Sequence, residues 1–162
     1  MVPRLIQSLL GGGGRKPGPQ DTRRLDAALG LLGRRVLVVD DNPANLTLAR
    51  AVLESAGVDV VVAGDGVLAL EALATGSFDV VLMDVRMPRM GGPDAVARIR
   101  AGEAGRPDAP VIALTAETEE SRARLLDQGF DGVLGKPMRA AELIAAVTAA
   151  CRPGTPRAVR AA

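Results

Sequence analysis

Asp84 closes the apolar run Val80-Val81-Leu82-Met83 and is followed at once by Val85-Arg86-Met87-Pro88. A carboxylate at the end of such a strand is expected at the exposed edge of a sheet. An earlier apolar run, Val36-Leu37-Val38-Val39, also ends in acid, the pair Asp40-Asp41. If the two strands lie side by side, the three acids converge on a pocket that repels itself unless a cation or a lysine sits among them. Such a pocket suggests Mg²⁺-dependent phosphoryl chemistry.

The elements that would position these acids are legible from Val36 onward, where short β-branched runs alternate with longer segments of helical periodicity. Asn42 is placed to cap a helix that opens on Pro43, where a missing N–H costs nothing, and Leu46, Ala49, Val52, Leu53 and Ala56 recur at helical spacing before a stop at Gly57. Asp59 to Ala63 is the second expected strand, and Asp65-Gly66 turns it into a helix running to Thr75. After Asp84, a loop with Pro88 and Gly91-Gly92 leads to a helix from Pro93 to Arg100. Val111 to Leu114 reads as the fourth strand, stopping at Thr115, and Thr118 to Gln128 as the next helix. A fifth strand, Gly132 to Gly135, runs into Lys136-Pro137, and a last helix from Arg139 to Ala150 buries Leu143, Ile144 and Val147.

This alternation implies an α/β doubly wound domain: a five-stranded parallel sheet, helices on both faces and right-handed crossovers. Ligands of such sheets bind beyond the carboxyl ends of the strands, where the strand order reverses. Asp40, Asp41, Asp84, Thr115 and Lys136 all fall at such ends.

Composition narrows the choice. At 162 residues the chain has the length of one ordinary domain plus tails. With two phenylalanines and no tyrosine or tryptophan, its core must be built from Val, Leu, Ile and Ala, and stacking on nucleic-acid bases has no aromatic platform. With no histidine, the chain can neither autophosphorylate on histidine nor build a Ser-His triad or a His-based metal site. The lone Cys151 cannot form an intrachain disulfide, which fits a reducing compartment, and the cytoplasm is the expected location. No segment approaches the roughly 18 consecutive apolar residues of a membrane span.

The net charge of +1 conceals an asymmetry: +5 over residues 1–35, −7 over 36–150 and +3 beyond. An acidic body with short basic ends is not the pattern of a nucleic-acid-binding domain. Gly11 to Gln20, rich in glycine and proline, reads as a linker, and Asp21 to Leu32 as a short helix. Its glycines precede a lysine, but the spacing is wrong for a phosphate-binding loop and Pro17 stands where Ser or Thr should be. The expected division is a basic leader over 1–34, the domain over 35–151 and a flexible basic tail over 152–162.

Four motifs in order resemble the receiver domain of two-component response regulators, a flavodoxin-like family. Val38-Val39-Asp40-Asp41-Asn42 resembles its acidic-pair motif, and Met83-Asp84-Val85-Arg86-Met87-Pro88-Arg89-Met90-Gly91-Gly92 its phosphoacceptor motif. Ala113-Leu114-Thr115-Ala116 and Gly135-Lys136-Pro137 complete the set, which spans Val36 to Ala150. The resemblance implies strand order 2-1-3-4-5. It also implies that Asp84 accepts a phosphoryl group from a histidine kinase or phosphotransfer protein, by carboxylate attack on phosphorus. Mg²⁺ would be held by Asp41, Asp84 and the backbone carbonyl of Arg86, with Asp40 orienting a metal-bound water. Lys136, and Thr115 with the Ala116 N–H, would serve the remaining phosphoryl oxygens. The Thr115 hydroxyl would then draw its loop inward and repack the face made by the helix after Thr118, the fifth strand and the last helix.

The chain departs from the family pattern in two places. Val133 stands three residues before the lysine, where receivers usually carry Tyr or Phe, and Phe130 is expected in helix-to-strand packing instead. Arg86 and Glu117 stand two residues after the phosphoacceptor and the threonine, positions that in the family border the path of the hydrolytic water; the two readings are an ion pair across the pocket mouth and two independently solvated side chains. Since only about a dozen residues follow the last helix, no output domain is expected on this chain. It reads as a stand-alone receiver or as the receiver module of a hybrid histidine kinase, signalling to an unknown downstream protein. The alternatives are a phosphorylation-independent binding module and a Mg²⁺-dependent aspartyl phosphatase of the haloacid dehalogenase kind. The latter needs a second Asp where Arg86 sits.

Overall fold

The computed structural model describes Gln7, residues 18–116 and residues 119–151. Helix α1 (Pro19–Leu31) is followed by β1 (Arg35–Val39), α2 (Pro43–Ser55), β2 (Asp59–Ala63), α3 (Gly66–Thr75) and β3 (Val80–Asp84). Then come α4 (Gly92–Arg100), β4 (Val111–Thr115), α5 (Glu119–Asp127), β5 (Gly132–Gly135) and α6 (Ala140–Ala150). The strands form one parallel sheet, as the alternation implies, in the order β2-β1-β3-β4-β5 that the resemblance implies.

Successive side chains of a strand point to opposite faces, and both faces here are covered. Val36, Val38, Val80, Leu82, Ile112 and Leu114 pack with Ala49 and Leu53 of α2 and with Leu143 and Val147 of α6. Leu37, Val39, Val81, Met83, Val111 and Ala113 face the other way, onto Ala69 and Leu73 of α3, Val96 and Ile99 of α4 and Leu125 of α5. Burial on both sides is why the strands read as continuous apolar runs rather than alternating ones.

Helix α1 starts earlier than its expected first residue, Asp21, because Pro19 occupies a first-turn position where no N–H is needed, and the Asp21 carboxylate accepts the Gly18 N–H at 3.0 Å. The expected linker therefore gives way to helix at Pro19; its residues 11–17 lie outside the described ones, as does the tail over 152–162. Leu31, at the end of α1, is fully buried in the cluster that α2 and α6 share.

Two features fix the loops around the strand ends. Helix α4 begins at Gly92, where a Cβ would stand 2.5 Å from the Asp84 carbonyl oxygen, so only glycine fits against the end of β3. At the other end of the sheet, Arg100 donates to Gly129 O, Pro107 O, Ala109 O and Asp131 Oδ2. The same Asp131 oxygen accepts the Val111 N–H at 2.9 Å, which ties the starts of β4 and β5 to the end of α4.

Candidate functional site

Strand register assembles the site. Val39 pairs with Met83, Asp84 with Leu114, and Thr115 with Gly135. Asp40, Asp84, Thr115 and Lys136 therefore emerge side by side at the carboxyl edge, where the chain passes from β1 outward in both directions. Three further ladder bonds hold them there: Asp40 N–H to Ala63 O at 3.1 Å, Val85 N–H to Leu114 O at 3.1 Å, and Lys136 N–H to Thr115 O at 2.8 Å.

A cavity of about 560 Å³ opens at this edge. Every residue expected from the sequence lines it: Asp40, Asp41, Asp84, Arg86, Thr115, Ala116 and Lys136. Asp40 is fully buried, Asp84 and Thr115 nearly so, and Asp41 is exposed. One oxygen from each of the three carboxylates lies within 4.8 Å of the others. The Lys136 ammonium stands between two of them, 2.9 Å from Asp40 Oδ2 and 3.1 Å from Asp84 Oδ1.

This crowding perturbs both partners. Burial pushes the Asp84 carboxyl up, the Lys136 hydrogen bond pulls it down, and the neighbouring Asp40 charge adds to the upward push, which prevails. For Lys136 burial acts downward, yet the Asp40 and Asp84 carboxylates outweigh it and hold the ammonium above its ordinary value. Three hard oxygen donors at one edge, one of them facing solvent, fit a small divalent cation such as Mg²⁺.

Not all that borders the cavity was visible in the sequence. Asn45, in the first turn of α2, donates its amide to Asp40 Oδ2 at 3.1 Å. A further constraint holds the loop after Asp84. Arg89 has φ 62°, the one positive value outside glycine among the described residues, and Met90 N–H donates to Pro88 O across it at 2.7 Å, closing a three-residue turn. The Arg89 guanidinium pairs with Asp65, the cap of α3, and Gly66 N–H donates to Met90 O at 3.2 Å. Of the two departures from the family pattern, Val133 is half-buried on β5 and its carbonyl accepts from Arg122 at 3.3 Å. Phe130 is buried on the α3–α5 side, in the packing role expected of it. Glu117, the partner of Arg86 in the ion-pair reading, lies outside the described residues.

A doubly wound sheet in this order, with three carboxylates, a threonine and a lysine at its carboxyl edge, defines a flavodoxin-like signalling module. The profile of the response regulator receiver domain matches residues 36–148, and the chain belongs to that family of two-component signalling domains. The sensor protein GacS of Pseudomonas syringae pv. syringae is 46% identical over 112 residues, covering 67% of this chain and 12% of that protein. The DNA-binding response regulator MtrA of Mycolicibacterium smegmatis is 38% identical over 120 residues, covering 74% of this chain and 51% of MtrA. The chain thus spans about an eighth of the sensor protein and half of the regulator. Among solved structures, the receiver domain of sensor histidine kinase PA1611 from Pseudomonas aeruginosa PAO1, described with a magnesium ion coordinated in its active site cleft, superposes with TM-score 0.67. It is 37% identical, covering 74% of this chain and 98% of that one. Among the described residues no helix is long and apolar enough to cross a membrane.

Proposed function

We propose that Asp84 is the phosphoacceptor, taking a phosphoryl group from a phosphohistidine on a histidine kinase or phosphotransfer protein. The phosphorylated domain then signals by binding another protein. The observation that carries this reading is the Lys136 ammonium held between Asp40 and Asp84, 2.9 and 3.1 Å away, beside a third carboxylate. An Asp84 carboxylate oxygen forms the new bond to phosphorus as the phosphorus–nitrogen bond of the donor breaks. The imidazole leaves with the electron pair and takes its proton from water. In the loose transition state the charge spreads over three equatorial oxygens, each of which needs a positive or donor partner. Asp41, Asp84 and the Arg86 carbonyl would hold Mg²⁺, with Asp40 orienting a water on it, and the ion would supply positive charge to one oxygen. Lys136 serves the second, and the Thr115 hydroxyl with the Ala116 N–H serves the third.

Movement of Thr115 toward the phosphoryl oxygens draws the β4–α5 loop inward and alters the face made by α5, β5 and α6. With Val133 in place of an aromatic side chain, the change passes through loop and backbone. The likeness to receiver segments of sensor proteins supports a place in a phosphorelay. Intact-mass measurement after incubation with a small phosphodonor and Mg²⁺ tests the reading. It requires a gain of one phosphoryl group that EDTA or Asp84→Asn abolishes. No gain with any donor would leave a phosphorylation-independent binding module, and repeated turnover of phosphate esters would make the protein a phosphatase.

A further inference from the structure

Asp40 is fully buried, and its carboxylate holds three donors: the Asn42 N–H on Oδ1 at 2.9 Å, and on Oδ2 both Asn45 Nδ2 at 3.1 Å and Lys136 Nζ at 2.9 Å. The two groups that share Oδ2 come from different parts of the chain. Lys136 follows β5, whereas Asn45 sits in the first turn of α2, a helix fixed by Pro43 and by the Asn42 side chain on the Ala44 N–H at 3.0 Å. Because an ionised carboxylate only accepts, the Asn45 group facing it must be the amide NH₂. Asn45 also borders the cavity of Asp84.

Lys136 already bridges Asp40 and Asp84, and as it turns toward a phosphoryl oxygen on Asp84 its hold on Asp40 weakens; a buried carboxylate whose charged donor draws away is costly unless another donor stays. We propose that Asn45 is a positioning residue for phosphotransfer: its amide keeps Asp40 Oδ2 hydrogen-bonded while the Lys136 ammonium passes to the phosphoryl group, which lowers the barrier to that exchange. The inference rests on Asp84 being the phosphoacceptor. It assigns Asn45 no contact with the phosphoryl group itself; the amide acts through Asp40 and Lys136.

The test is the rate of phosphorylation by phosphoramidate at saturating Mg²⁺, followed by intact mass, in the parent, Asn45→Ala, Asn45→Leu, Lys136→Met and the Asn45→Ala/Lys136→Met double variant. Leucine keeps the side-chain volume and lacks the donor, so both Asn45 variants should lower the limiting rate about tenfold, the loss expected for one hydrogen bond to a buried charge. Half-saturating donor and Mg²⁺ concentrations should stay within about twofold of the parent. A merely structural role would lower the rate by the same factor whether or not the lysine is present. The exchange mechanism requires that Asn45→Ala has almost no effect in the Lys136→Met background. Equal losses in both backgrounds, no loss in the parent background, or a loss confined to half-saturation would overturn the role of Asn45 while Asp84 phosphorylation stood. A parent protein that takes up no phosphoryl group would overturn the phosphoacceptor reading and this inference with it.

Discussion

Arg100→Ala strikes the end of the sheet opposite the site. The Arg100 and Asp131 side chains are only 13% and 1% exposed, and the guanidinium also holds the carbonyls of Pro107, Ala109 and Gly129. Ala109 and Gly129 are buried, so their carbonyls add to the loss, whereas the exposed Pro107 can turn its carbonyl to water. Asp131 cannot, since it sits at the start of β5 with its Oδ2 bound to the Val111 N–H. Removing one member of a buried pair costs about 3–5 kcal/mol because the surviving charge remains buried. For a domain of this size that lowers Tm by about 10–20 °C. With no tryptophan or tyrosine to report fluorescence, far-UV circular dichroism in urea and on heating is the assay. Arg98→Ala supplies the control, since its ion pair with Glu103 is more than half exposed on both sides and is worth under about 1 kcal/mol. If the two variants unfold within about 1 kcal/mol of each other, the reasoning about buried charge fails here. Because β4 and β5 carry Thr115 and Lys136 at their other ends, the same variant should also phosphorylate more slowly.

Gly92→Ala should cost about 1–3 kcal/mol and slow phosphorylation, since the new Cβ lies 2.5 Å from the Asp84 carbonyl oxygen and 3.1 Å from Val85 Cα; unchanged urea unfolding and an unchanged rate would contradict this. Burial acts to raise the Asp65 carboxyl, but the Leu68 N–H and the Arg89 guanidinium outweigh it and hold it below its ordinary value. The stability it contributes is therefore present above the ordinary carboxyl value and fades as pH falls through the depressed one. Urea midpoints of Asp65→Asn should lie below the parent near neutral pH and converge with it in strong acid, and a gap constant with pH would count against the pairing. Burial raises the Cys151 thiol from 9.0 to about 11, with Arg34 and Asp79 contributing opposed smaller effects. Native Cys151 should react with iodoacetamide roughly 100-fold more slowly than in the urea-unfolded chain near pH 8, from the thiolate fraction alone, and comparable rates would refute it.

The sheet and the acidic edge were legible because each depends on short stretches of chain. Val36–Val39, Val80–Met83 and Val111–Leu114 are continuous apolar runs that only a doubly covered strand explains, and each ends at or next to a residue of the site. Strand order brought Asp40 and Asp84 together, and that order followed from the resemblance carried by the four motifs, the alternation itself implying only a parallel, doubly wound sheet. What escaped notice depends on side chains meeting across long separations. Nothing local marks Asn45 as turning back onto Asp40, or Arg89 as reaching Asp65 from a strained turn. The Arg100–Asp131 pair links residues 31 apart in sequence, and each reads as an ordinary surface charge until the helix end and the strand start meet. Leu31 lay in a stretch whose arginines and glycines suggested only a short, separate helix, so its burial in the core carried no signal of its own.

Leu31 also changes where one module can be cut from another. Its side chain fills space in the layer between α2 and α6, so a gene fusion joined at Gly33 would keep every strand and every site residue yet leave a leucine-sized void. Such voids cost about 2–5 kcal/mol, a large share of what a small domain has to lose. A cut ahead of Pro19 keeps that side chain in its place. A segment joined there would be anchored in the interior through Leu31, which packs in the same cluster as Leu143 and Val147 of α6.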